Sequence, residues 1–125
     1  MTLTKEQAST LSGNELDEAA ALAQGWVKAN YKLDVVMWLV GDNGFIEDYH
    51  PSTNGTQCMA IMESERIGVF FADNKQGDWL ASMIFMSQEK GTTITKVMGE
   101  TAMIAICRCF VMSKLDVINK TKELK

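Results

Sequence analysis

The stretch from Glu100 to Leu115 is apolar nearly all the way round a helix, through Ala102, Met103, Ile104, Ala105, Ile106, Cys107, Phe110, Val111 and Met112. A helix without a polar face is stable in water only inside a molecule, so the rest of the chain has to be wrapped around it. At 125 residues the chain is long enough to do so. A domain of this size buries roughly two thirds of the surface its unfolded form exposes, and needs no disulfide or metal to hold it. With 46% hydrophobic residues, 22% charged residues and a single proline, the sequence describes one domain over residues 1–125. Arg108 interrupts the apolar helix. A guanidinium keeps its charge in a protein and must meet an anion there. The candidates are an internal carboxylate such as Glu100, Glu63 or Glu65, or else a ligand phosphate or an acid from a partner.

The elements that wrap this helix follow from local pattern. Residues 1–10 are polar and without period, and read as a flexible lead-in. Ser12 and Glu15 have the spacing of a capping box, and Leu11 and Leu16 that of a hydrophobic staple. They predict a helix from Gly13 to Gln24 that buries Leu16, Ala19, Ala20 and Ala23 and ends at Gly25, with Asp17 and Glu18 complementing its dipole. Val35 to Val40 suits a central strand buried on both faces, and Phe45 to Thr56 is the longest irregular segment. Residues 56–65 fit a short helix through Met59, Met62 and Arg66, but Cys58, Ala60 and Met62 also fit strand alternation; the helix is preferred. Ile67 to Ala72 and Trp79 to Met86 flank a turn-rich Asp73 to Asp78 and predict a β-hairpin. Thr93 to Met98 extends it into a second one. Residues 117–125 read as a basic, frayed tail. The fold class is α+β: a small, mostly antiparallel sheet packed against a central C-terminal helix and an N-terminal helix.

Catalytic chemistry finds few carriers. One histidine and three cysteines nearly exhaust the ligand supply for a classical zinc site or a histidine-dependent triad, so no metal, no cofactor and no catalytic residue is assigned. Cys107 and Cys109 flank Arg108, yet neighbours one and two apart on a helix face different ways, and the thiols read as small core side chains. Ser52 and His50 lack the strand-turn-helix elbow that presents a nucleophilic serine. No apolar run reaches the ~20 residues of a membrane span. No secretory leader precedes the odd set of cysteines, so the expected location is the cytoplasm with reduced thiols.

Binding is better supplied. Tyr49, His50, Ser52, Thr53 and Asn54 gather an aromatic ring, hydroxyls and an amide in one loop. If a helix follows, its N-terminus adds donors suited to an anion, though a plain turn with an N-cap uses the same letters. Trp79, like Trp26, lies beside a glycine-marked turn and could stack a base. The net charge of −4 argues against general nucleic-acid binding. It is divided unevenly: residues 1–66 hold 4 basic and 10 acidic side chains, residues 67–125 hold 8 basic and 6 acidic. An acidic first half could mimic a phosphate backbone, although charged side chains on a soluble domain are ordinarily just solvated.

The pieces Leu11-Ser12-Gly13-Asn14-Glu15-Leu16-Asp17 with Ala19, Ala21 and Gly25, then Tyr49-His50-Pro51-Ser52-Thr53, Ile61-Met62-Glu63 with Ile67, Trp79-Leu80-Ala81, and Thr101 to Ala105 with Arg108, Val111 and Ser113-Lys114-Leu115 occur in that order. This ordered set resembles the bacteriophage NinX-like proteins, a family of unknown function. The chain departs from the family pattern at Asn54, at Gln57 to Ala60, at Ala102 and at Asp116. The resemblance implies phage origin, expression in a bacterial host cytoplasm and an accessory role, and it supplies no activity. Together with the residues, it yields three expectations. The first is a non-enzymatic counter-defence protein that sequesters a small anionic, nucleotide-derived signal through Tyr49, His50, Ser52, Thr53, Asn54, Trp79 and Arg108. The second is a protein-binding inhibitor of a host defence enzyme, such as an acidic DNA mimic. The third is an enzyme that degrades the signal. A homo-oligomer with sites at its symmetric interfaces is a further expectation.

Overall fold

In the computed structural model, residues 2–30, 36–40, 44–72, 78–89 and 91–122 are described. The elements are helices α1 (Lys5–Ala8) and α2 (Gly13–Ala23), strands β1 (Val27–Asn30), β2 (Val36–Val40) and β3 (Gly44–Glu47), helix α3 (Gly55–Glu65), strands β4 (Gly68–Phe71), β5 (Trp79–Ser87) and β6 (Gly91–Gly99), and helices α4 (Ala102–Ser113) and α5 (Leu115–Lys122). The apolar stretch forms α4, which is buried continuously from Ala105 to Val111 and packs against α2, α3, all three strands β4 to β6, α1 and α5. Thr101 starts it, its hydroxyl accepting the Ile104 N–H at 3.1 Å. Gly99 lets the end of β6 lie directly on this first turn, where a Cβ would stand 2.5 Å from the Ala105 nitrogen.

The α+β class holds, but the strands form two antiparallel sheets rather than one, ordered β1-β2-β3 and β4-β5-β6. The predicted hairpin is present, with Phe71 opposite Trp79, and β5 continues into β6 from Trp79↔Gly99 to Ser87↔Gly91. The turn expected at residues 73–77 lies outside the described residues. Helix is also the outcome for residues 56–65, which fall within α3. Asn54 caps it, and Arg66 closes it in the left-handed conformation at φ 56°.

Several expectations are corrected. Residues 1–10 are not merely a polar lead-in: Thr4 and Gln7 make a reciprocal capping box around α1, and Ala8 is fully buried. Ser12, by contrast, makes no side-chain cap to α2, so the capping box sits one helix earlier than its spacing suggested. β2 is central in its sheet but not buried on both faces, since Trp38 is buried and Leu39 exposed. Phe45 to Thr56 is not wholly irregular, because it contains most of β3 and the first two residues of α3. The tail is helical to Lys122. Ile118 and Thr121 of α5 are buried, and Asn119 clasps the other end of the chain, accepting the Leu3 N–H at 2.7 Å and donating to the Leu3 carbonyl at 3.1 Å.

Candidate functional site

Asp48 opens the loop that carries five of the seven expected site residues, and it does so in the left-handed conformation at φ 53°. The next residue, Tyr49, is thereby buried edge-on against Trp26, with ring centroids 4.8 Å apart at 69°, and its hydroxyl accepts a long 3.4 Å hydrogen bond from Gln24 Nε2. Burial pushes this hydroxyl up to about 12, because the phenolate would lose its water, and the neighbouring Asp17 and thiols act in the same direction. Beneath the loop, Asp17 of α2 is buried. Its Oδ1 accepts the Ser52 N–H at 2.9 Å, and its Oδ2 lies 3.5 Å from Nδ1 of the half-exposed His50 ring.

The remaining loop atoms close on each other. The His50 carbonyl accepts from the N–H groups of Thr53 at 3.0 Å and Asn54 at 2.8 Å. Asn54 Oδ1 accepts the Gln57 N–H at 3.0 Å, and the Gln57 side chain returns to the loop, accepting from His50 N at 2.7 Å and donating to the Asp48 carbonyl at 3.1 Å. Ser52 is buried, while Thr53 and Asn54 are exposed. The structure thus brings Tyr49, His50, Ser52, Thr53 and Asn54 together as a turn clamped to α2 and α3. The charge held under it is a carboxylate, which repels an anion instead of attracting one.

The other two expected residues are engaged elsewhere. Trp79 stacks edge-on with Phe71 at 5.3 Å and 72°. Arg108 is buried on α4, where Nε donates to the Leu11 carbonyl at 2.7 Å, Nη1 donates to the Met98 carbonyl at 2.9 Å, and Nη2 pairs with Glu100 at 3.5 Å. Internal groups therefore occupy all three guanidinium nitrogens. Among the described residues, no buried side-chain nitrogen or oxygen lacks a hydrogen-bond partner.

Sequence reasoning missed two features of this region. Asp17 was read as a surface charge near the start of α2, yet its spacing to Ala20 and Ala21 is i, i+3, i+4, and all three are buried on one stripe. Cys58 of α3 directs its S–H at the Met103 carbonyl 3.9 Å away. Its interaction with Cys107 of α4 lowers Cys58, and the same interaction together with burial raises Cys107. Burial alone pushes the Cys109 thiol up to about 11, and its S–H points at the Thr95 carbonyl 3.7 Å away. All three thiols are buried, and burial holds those of Cys107 and Cys109 in the protonated form, which is not the nucleophilic one. A groove of about 470 Å³ runs between α1, the start of α2 and the end of α5, lined by Leu3, Gln7, Leu11, Glu15 and Lys122 among others, and none of the seven expected site residues lines it.

The most unusual surface is on the second sheet. α4 covers one face, where the registered rows Val69–Ala81–Val97 and Phe71–Trp79–Gly99 point. The opposite face carries the rows Phe70–Leu80–Met98, Gly68–Ser82–Lys96, Ile84–Ile94 and Met86–Thr92. Because β4 ends at Gly68, opposite Ser82, the far half of the β5–β6 hairpin extends as two strands alone. Exposure on this face is high, at Phe70 60%, Ile84 64%, Met86 77% and Ile94 50%, and the other side of the sheet adds Phe71 at 56% and Phe85 at 64%. Lys96 is the only charged side chain in the whole sheet.

Two small antiparallel sheets around a buried central helix define a small α+β protein. Among the described residues, no group of three or more His, Cys, Asp and Glu is placed to hold a metal, and no helix is long and apolar enough to cross a membrane. The family is shown by the sequence itself: residues 7–114 match the family model described as Bacteriophage P22, NinX, and the chain belongs to that family. It is accordingly a phage accessory protein. No curated protein matches it.

Proposed function

We propose that this phage protein acts without catalysis, by binding protein through the outer face of its second sheet and the free end of the β5–β6 hairpin. The observation that carries this reading is the run Ile84-Phe85-Met86, three consecutive large apolar side chains, each more than half exposed. Monomeric proteins rarely leave apolar patches beyond ~300–600 Å² in water, and larger ones mark contact sites. Of the two counter-defence roles the sequence suggested, interference by protein contact has this surface behind it. Capture of a nucleotide-derived signal has less support, since a phosphate reaching Arg108 would have to displace Glu100 and two carbonyls, and Asp17 underlies the Ser52 loop.

Photo-crosslinking tests the reading. With p-benzoylphenylalanine at position 86, irradiation of expressing bacteria is expected to give a discrete covalent protein adduct, and the same probe at position 53 is expected to give none. A smear or no adduct from position 86 contradicts it. Calorimetry with cyclic and linear nucleotides is expected to give no heat; binding that Arg108→Ala or Ser52→Ala abolishes, in variants that stay folded, would restore the sequestration role.

A further inference from the structure

We infer that the partner seated on this surface is a second copy of the same chain, packed outer face to outer face about a two-fold axis; the inference rests on the protein-binding reading above. The area fits. Phe71 and Phe85 belong to rows on the α4 side. At ~200 Å² for each large side chain, the four exposed residues of the outer face, Phe70, Ile84, Met86 and Ile94, leave roughly 500 Å² of apolar surface, so that two copies bury about 1,000 Å², the lower bound of a specific interface. A cyclic pair is the commonest assembly, and in it a patch must be complementary to itself.

The rows on the outer face meet that condition. At its middle lies the row Gly68–Ser82–Lys96, and at Gly68 and Ser82 this row has almost no bulk; the Phe70 ring leans over Gly68, approaching the position of its missing Cβ to 3.5 Å. On one side of this low row stand Phe70, Leu80 and Met98, and on the other Ile84, Ile94 and Met86. A two-fold axis through the row lays the aliphatic side of one copy on the aromatic side of the other, at the ~10 Å separation of packed sheets. Charge agrees as well. The chain carries a net −4, which opposes self-association, yet this face holds no carboxylate. Its one cation, Lys96, is on the edge strand β6, from which its stem can reach solvent at the rim. A nucleic acid would find a single cation here, too few for phosphate binding.

Sedimentation equilibrium of the purified full chain tests this from ~1 to ~200 μM, a range that spans Kd values of a weak and a tight dimer. The expected mass is twice 13.9 kDa. Ile84→Asp with Met86→Asp is expected to raise the dimer Kd at least ~100-fold while circular dichroism stays that of the wild type, since both side chains are exposed on the face turned away from α4. Ser82→Lys, at the axis and beside Lys96, is expected to weaken the dimer most at low salt. A wild-type mass of 13.9 kDa throughout overturns the inference; if position 86 still crosslinks to another protein in cells, the protein-binding reading survives it. A dimer indifferent to all three substitutions also overturns it, and a monomer without adduct overturns both.

Discussion

Arg108 shows how a single residue can look like a ligand site in sequence and prove to be a structural brace. Its two backbone acceptors come from the α1–α2 connection and the end of β6, segments far apart in the chain, so the guanidinium fastens both to α4. Replacing it with alanine leaves those carbonyls without their charged donor inside the protein. Arg108→Ala is expected to cost about 3 kcal/mol in urea unfolding, whereas Glu100→Gln costs less than ~1 kcal/mol because that carboxylate is two-thirds exposed. Equal, small losses would mean that the brace is not formed. Tyr49 offers a second check. Its hydroxyl holds its proton more tightly folded than unfolded, so the stability it contributes is complete below pH 10 and is lost as pH rises toward about 12. Wild type should lose up to roughly 2–3 kcal/mol more than Tyr49→Phe across that interval; parallel curves contradict burial of the hydroxyl. The need for an anion at Arg108 was legible in sequence, and Glu100 was among the partners considered. The carbonyl partners were not, because backbone acceptors have no sequence signature.

At the scale of elements, strong periodicity and marked turns were readable, while elements held by distant contacts were not. α4 follows from its continuous apolar run, α2 from its alanine stripe, and the β4–β5–β6 order from two turn signals. The division into two sheets escaped, since nothing local tells β1 to β3 to pair apart from β4 to β6. α1 and α5 escaped for a shared reason: each is short and polar, and they are tied to one another through Leu3 and Asn119. Short helices of this kind owe their stability to tertiary packing rather than propensity. The site loop was found as a cluster, but its clamp was not, because Asp17 lies 35 residues before Ser52. If α5 is part of the core, Ile118→Ala costs about 3 kcal/mol in chemical denaturation. A loss under ~1 kcal/mol would return residues 117–122 to a frayed tail.

For the whole molecule, the core and the surface make opposite statements. Inside, α4 is wrapped and every described buried polar side-chain atom is satisfied, as in a finished monomer. Outside, a sheet with a single charge leaves six large apolar side chains in water, as half of an interface does. This difference was present in the sequence, where β4 to β6 read as ordinary half-buried strands, but alternation alone does not reveal which face lacks a cover. The central claim is that protein contact through the hairpin is what this phage protein does. Crosslinking in living cells from position 86 tests it most directly, with the probe at positions 53 and 116 as controls on the site loop and on the exposed start of α5. The account predicts a sharp adduct from position 86 alone, its mass fixing whether the partner is a second copy. Adducts from position 53 with none from 86 would contradict it.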